Sequence, residues 1–208
     1  MSEPLLQAVN LQCERDERTL FRDLSFSILP GTVTRVEGDN GSGKTTLLRI
    51  LAGLNDAWSG DLLWRGQSRN HCREDYHRNM LYLGHRPGIK GLLSPLENLR
   101  ALTAGRRPLP DDVLRQALAG TGLHGYEDVP CRKLSAGQQR RVALARLLIA
   151  DEPLWLLDEV FTAIDADGVN AIESLLAQRA KEGGAVVVTT HHHLELPGLQ
   201  SIRLGGAA

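Results

Sequence analysis

The sequence predicts an α/β fold, a β-sheet core with a helical subdomain inserted into it. Three observations lead there. Short β-type runs alternate with stretches of helical apolar spacing. A glycine-rich phosphate loop joins one of those strands to a helix. One fully apolar run ends in adjacent acids, as a buried parallel strand delivers them to its C-terminal edge, where such sheets bind ligands.

Taken in order, Leu24-Ser-Phe-Ser-Ile-Leu alternates with period two, and Val33-Thr-Arg-Val-Glu37 follows a Pro30-Gly31 turn. Lys44 to Ala52 reads as a helix ended by Gly53. From Ser94 to about Ala150 there are helical signals and no convincing strand, which predicts the inserted subdomain. Ser94-Pro95-Leu96-Glu97 marks its entry, with a capping hydroxyl, a proline at the first helical position and a carboxylate three residues after the cap. Val113 to Ala119, Val142 to Ile149 and Ile172 to Ala177 carry helical spacing, Leu154-Trp-Leu-Leu157 is the apolar run before the acids, and Ala185-Val-Val-Val-Thr-Thr suits a sheet centre. No repeat, low-complexity segment or linker divides the chain, so residues 1–208 read as one domain, with residues 94–150 as its helical subdomain.

Composition narrows the function classes. Of 208 residues 42% are apolar, enough for a full core, and the formal net charge is −1, so a nucleic-acid partner is not expected. Cys13, Cys72 and Cys131 lie far apart with no CxxC, which suggests neither a disulfide framework nor a zinc site. The opening MSEPLLQAVN has no basic, apolar leader pattern, and no run nears the ~18 apolar residues of a membrane span. The expectation is a chain that neither is secreted nor crosses a membrane by itself.

Gly38-Asp39-Asn40-Gly41-Ser42-Gly43-Lys44-Thr45 matches GxxxxGK[ST] between a strand and a helix, the context its chemistry requires, and Thr46 continues it. The glycines let backbone N–H groups converge on phosphate oxygens, and the helix adds its positive end. Lys44 is expected to reach the β- and γ-phosphates of a nucleotide, and Thr45 to offer its hydroxyl to Mg²⁺. At the end of the apolar run, Asp158 is read as the Mg²⁺-side acid. Glu159, one residue on and so facing the other way, could polarise the attacking water. Asp151-Glu152-Pro153 precedes that run and is read as a solvated turn. Leu134-Ser135-Ala-Gly137-Gln138-Gln139 opens a helix; Ser135 and Gln138 could form a capping box, but a cap does not explain Gly137, and the same helix start could be a second anion site. His191-His-His193 could be a metal-binding or surface cluster, although its place after a buried strand favours a role for His191 at the site.

These motifs together resemble the ATP-binding-cassette ATPases, whose ordered elements are present as Gly38 to Thr45, Leu134 to Gln138, Leu157-Asp-Glu159, Thr162-Ala-Ile-Asp165 and Thr189-Thr-His191. The resemblance implies a P-loop NTPase nucleotide-binding domain that uses ATP and Mg²⁺. It also implies a second copy of the chain, paired head to tail so that Ser135, Gly137 and Gln138 of one copy close over the ATP of the other. It makes Glu159 the base, His191 a switch contacting the γ-phosphate, and Asp165 part of a loop linking the two sites. His192 and His193 stay unassigned.

Three positions depart from that family's usual pattern. His85 stands where most members carry a Mg²⁺-contacting glutamine, and an imidazole can contact the metal directly or through water. Arg15 stands near the usual adenine-stacking aromatic; either its guanidinium plane stacks instead or the base is held loosely. Val160 replaces the usual proline after the glutamate. With the Gly84 to Lys90, Gln138 to Arg146 and Phe161 to Asp165 stretches and the start Cys13-Glu-Arg-Asp-Glu-Arg18, the chain is similar to the ATP-binding subunits of bacterial cytochrome c maturation systems. That similarity implies a peripheral position at the cytoplasmic face of the inner membrane, multi-span membrane partners, and haem handled by the complex rather than by this chain. A soluble cassette acting on DNA or ribosomes would carry two cassettes or a coiled-coil insert, and a scaffold would not need Lys44, Asp158 and Glu159 together.

Overall fold

The computed structural model describes residues 3–15, 18–105, 107–162 and 164–205. In chain order its elements are β1 (Leu6–Arg15), β2 (Arg18–Ile28), β3 (Val33–Glu37), α1 (Lys44–Leu51), β4 (Ser59–Trp64), β5 (Gln67–Ser68), α2 (Arg73–Arg78), β6 (Met80–Leu83), α3 (Pro95–Ala104), α4 (Asp111–Gly120), α5 (Ala136–Ala145), β7 (Leu154–Asp158), α6 (Ala166–Lys181), β8 (Ala185–Thr189) and β9 (Gln200–Arg203). Asp16 and Glu17 of the Cys13–Arg18 stretch, and Ala163 of the Thr162–Asp165 loop, lie outside the described residues. The chain divides into two compact units, Met1–Tyr82 with Glu152–Val160 and Leu176–Ala208, and Leu83–Asp151 with Phe161–Leu175. Among the described residues no helix is long and apolar enough to cross a membrane.

The first unit contains two sheets. In the five-stranded sheet the order is β6-β7-β8-β3-β9, with β8 parallel to both β7 and β3, and β3 parallel to β9. Every residue of β7 and β8 is buried, which is why both read as continuous apolar runs rather than alternating ones. The other sheet, β2-β1-β4-β5, is antiparallel, and its pairing was not legible in the sequence. Its register shifts between Ala8 and Glu14 interrupt the period-two pattern that would have revealed β1. A shared core of Leu6, Leu11, Leu47, Ile50, Leu156 and Val187 joins α1 to both sheets. The C-terminal carbonyls of α1 are held by side chains: Arg69 Nη1 donates to Ile50 O at 2.7 Å and Tyr76 Oη to Leu51 O at 2.7 Å, both within the core.

The second unit is helical, with Leu96, Leu99, Leu114, Leu118, Val142 and Ala145 packed in one cluster from α3, α4 and α5. The α3 start has the full capping box, since Ser94 Oγ accepts from Glu97 N at 3.2 Å and Glu97 Oε2 from Ser94 N at 2.8 Å. The helix expected over Val142 to Ile149 begins earlier, at Ala136, and tightens into a 3₁₀ turn over Arg146–Leu148.

Candidate functional site

The phosphate loop runs from the end of β3 into α1. Gly38 has φ +146°, and a Cβ there would lie 2.5 Å from Ser42 Oγ and 2.6 Å from Leu204 O, so no larger residue fits. Gly43 sits at the N-cap of α1 in the left-handed region (φ +98°), with no side-chain cap and no acid in the first turn. The N–H groups and positive end of α1 are thereby left for an outside anion. Lys44 Nζ donates to Gly38 O at 2.5 Å and Asp39 O at 3.0 Å, holding the ammonium over the loop.

Asp158 ends β7 and is 1% exposed. Its Oδ1 accepts from Thr45 Oγ1 at 3.1 Å and from Thr189 Oγ1 at 2.7 Å, while its Oδ2 is buried without a hydrogen-bond partner. A buried carboxyl oxygen left without a partner is costly unless something outside the chain satisfies it. With a threonine hydroxyl beside it, the donor set is all oxygen and fits Mg²⁺, which is ordinarily held by one or two protein oxygens and by substrate phosphates. Among the described residues no three His, Cys, Asp or Glu side chains cluster tightly enough to hold a metal on their own. His193 Nε2 lies 3.4 Å from Glu195 Oε1, both well exposed. Burial, with the nearby Asp158 charge adding to it, pushes the Tyr82 phenol up to about 12.

Glu159 has φ +52°, in the left-handed region that costs a non-glycine residue ~1–2 kcal/mol. Its N–H donates to both Thr189 O and Thr189 Oγ1, each at 3.1 Å. Past the strand end, alternation no longer governs where it faces. Its side chain lines the same cleft, of about 290 Å³, as Arg15, Asn40, Lys44, Thr45 and His191. His191 Nε2 lies 3.6 Å from Glu159 Oε1, and the His191 side chain is 66% exposed to that opening. Asp151 lies at the other end of β7, exposed and 3.2 Å from Arg107, as a solvated turn residue would be.

The second unit carries Ser135, Gly137, Gln138, His85 and Asp165. The capping box at the start of α5 is formed: Ser135 Oγ accepts from Gln138 N at 3.2 Å, and Gln138 Oε1 from Ser135 N at 2.9 Å. The cap occupies those two N–H groups, and those of Ala136 and Gly137 have no acceptor within the helix. The cap and the anion-site readings of this hexapeptide are therefore compatible. His85 is exposed, and its carbonyl accepts from Arg140 Nη1 at 3.2 Å. Asp165 caps α6 through Gly168 N at 2.9 Å and pairs with Arg141 Nη2 at 2.6 Å.

Thr189 was named in the Thr189-Thr-His191 element but given no role of its own. It is fully buried and bonds both acids, and β8 places it opposite Asp158 in the parallel register.

Residues 21–162 match the model of the ABC transporter family. The chain is 53% identical over 206 residues to the cytochrome c biogenesis ATP-binding export protein CcmA of Hahella chejuensis, covering 99% of this chain and 98% of that one. It is 50% identical over 192 residues to the protein of the same name in Escherichia coli K12, with 92% and 91% covered. Among solved structures it superposes on a putative ABC transporter ATP-binding protein from Pyrococcus furiosus with a TM-score of 0.81, at 22% identity and 96% coverage of both chains. An ATP-binding cassette solved as a dimer in a post-hydrolysis state, with ADP and phosphate bound, superposes with a TM-score of 0.79 at 24% identity, covering 90% of this chain and 88% of that one.

Proposed function

Because the chain belongs to the ABC transporter family, we propose that it is the ATP-hydrolysing subunit of a membrane complex serving cytochrome c biogenesis. The observation that carries the catalytic part is Asp158, whose partnerless Oδ2 lies at the end of a buried strand with Thr45 on its other oxygen. The first-turn N–H groups of α1 receive the phosphates, and Lys44 leaves the carbonyls of Gly38 and Asp39 to meet the β- and γ-phosphates. Thr45 and Asp158 would hold Mg²⁺. When bound, the ion supplies charge neutralisation across the phosphates. Glu159 accepts the proton of the attacking water, and His191 contacts the γ-phosphate beside it. Arg15 lies against the base at the cleft edge.

The whole chain acts as one ATP-binding domain, with the helical unit as its subdomain. Two copies pair head to tail, and the free N–H groups of Ala136 and Gly137 of one copy meet the γ-phosphate held by the other while the Ser135–Gln138 cap stays intact. Opening after hydrolysis drives multi-span membrane partners at the cytoplasmic face of the inner membrane, and haem is handled by those partners. The names and full-length coverage of the similar proteins support this pathway.

Glu159→Gln tests the reading. Turnover is expected to fall by ~10²–10⁴ while ATP is retained and the closed pair accumulates; undiminished hydrolysis would remove Glu159 from the mechanism. Tagged Glu159→Gln chain purified from native membranes with Mg-ATP is expected to bring multi-span haem-handling subunits with it. Recovery of soluble proteins alone, at adequate expression, would overturn the pathway.

A further inference from the structure

The segment Gly84–Lys90 is fastened at both ends, to two different helices. At its start Arg140 of α5, only 4% exposed, donates through Nη1 to Gly84 O at 3.1 Å and to His85 O at 3.2 Å. At its end Asn98 of α3, 2% exposed, accepts from Lys90 N at 2.8 Å and donates to Lys90 O at 3.1 Å. The two fastenings differ in consequence. Asn98 also bonds Leu93 O, Ser94 O and, at 3.4 Å, Cys131 Sγ, so it ties the segment to the start of its own helix and to the run that leads into α5. Arg140 instead ties the segment to a helix distant in sequence, the one that opens with Ser135, Gly137 and Gln138. Its neighbour Arg141, about 100° further around α5, bonds Asp165 instead.

We propose that Arg140 is a positioning residue that transmits the placement of the His85 main chain to the start of α5. The inference rests on the function proposed above. A guanidinium withdrawn from water and bound to two consecutive carbonyls is strongly directional, because a charge-assisted donor has no solvent to replace either acceptor. The acceptors are main-chain atoms, so the link is independent of which side chain stands at position 85. Displacing the His85 backbone must either carry α5 with it or break both bonds. Arg140 thus joins the residue that replaces the usual glutamine to the helix start that closes over the partner's ATP, through a discrete contact rather than general packing.

The test uses the full chain in the Glu159→Gln background, where ATP is expected to hold the pair closed. Arg140→Met keeps the side-chain length and removes every donor; Arg140→Lys restores a charged donor. Arg140→Met is expected to raise the ATP concentration needed for pairing roughly tenfold. In the otherwise native chain it is expected to lower kcat by a similar factor and to raise the KM for ATP with it, because turnover requires the ATP-dependent pair. Arg140→Lys is expected to recover most of both. Pairing and kcat of Arg140→Met within about twofold of the parent would overturn the proposal. So would a loss of kcat that Arg140→Lys does not relieve, since that is a packing effect. Hydrogen exchange on the chain with native Arg140 covers the case in which Arg140→Met fails to fold: addition of ATP is expected to slow the Gly84–Lys90 amides and the first turn of α5 together, and independent responses would overturn the link. If the Glu159→Gln chain with native Arg140 does not pair on ATP, the function proposed above falls and takes this inference with it. If it pairs and Arg140→Met pairs equally well, only the assignment of Arg140 falls.

Discussion

Replacing Thr189 by valine removes one hydroxyl from a fully buried position and leaves the shape of the side chain almost unchanged. The hydroxyl donates to Asp158 Oδ1 at 2.7 Å and accepts from Glu159 N at 3.1 Å. After the change the Glu159 N–H still has Thr189 O at 3.1 Å, and Asp158 still has Thr45 Oγ1 at 3.1 Å, so neither acid loses all support. The loss is then that of one hydrogen bond to a carboxylate, about 1.5–3 kcal/mol. At ~2–4 °C per kcal/mol for a chain of this length, the midpoint of thermal unfolding drops by about 3–12 °C. Function is expected to lose more than stability does. A side chain that orients a metal-side carboxylate typically contributes about 10–100-fold in activity, so kcat at saturating Mg-ATP falls by that factor and the Mg²⁺ concentration for half-maximal rate rises. Urea unfolding and a Mg²⁺ titration of steady-state hydrolysis measure the two effects separately. Thr189→Ser keeps the hydroxyl and loses a methyl group, which costs ~1 kcal/mol of burial and leaves kcat near that of the parent. A valine variant with unchanged Mg²⁺ dependence, or a serine variant as inactive as the valine one, would refute the assignment of Thr189 as the residue that orients the acids.

Arg15→Trp places an aromatic ring at the exposed edge of the nucleotide cleft. Stacking on a base is worth ~1–3 kcal/mol, so ATP is expected to bind at least about fivefold tighter by equilibrium titration; unchanged affinity would show that position 15 does not face the base. Glu37 offers a pH test. Its carboxyl is held below its ordinary value of 4.5 chiefly by the hydrogen bond from Arg35, at 2.9 Å from Nε, with Arg203 assisting from 3.2 Å. A carboxyl depressed in the folded state adds stability that is present above pH 4.5 and lost as pH falls through its lowered folded value. Arg35→Gln is therefore expected to lower the urea midpoint at pH 7 and to flatten its decline on acidification; parallel curves for both proteins would refute the pairing.

What could be read directly were features in which neighbours in sequence are also neighbours in function. The Gly38–Thr45 loop, the Ser94 and Ser135 helix starts and the all-buried β7 and β8 each announce themselves within a few residues, because turns, caps and strand burial are local physics. Of the antiparallel sheet only the Leu24–Ile28 part of β2 was legible, because the register shifts of β1 break its alternation. Glu159 was legible as a candidate acid at a strand end; its φ of +52° and its paired contact with Thr189 are what the fold adds to hold it at the cleft. Thr189 and Asp158 lie in different strands and meet solely through parallel register, and Arg140 reaches Gly84 and His85 from a helix on which nothing local distinguishes it. The sequence by itself determined the chemistry available to this protein: a phosphate loop, two acids at a strand end and a helix start able to meet an anion. Only the tertiary structure decided which buried groups hold that chemistry in place, because a side chain's hydrogen-bond partners are set by strand register and helix packing, which join residues far apart along the chain.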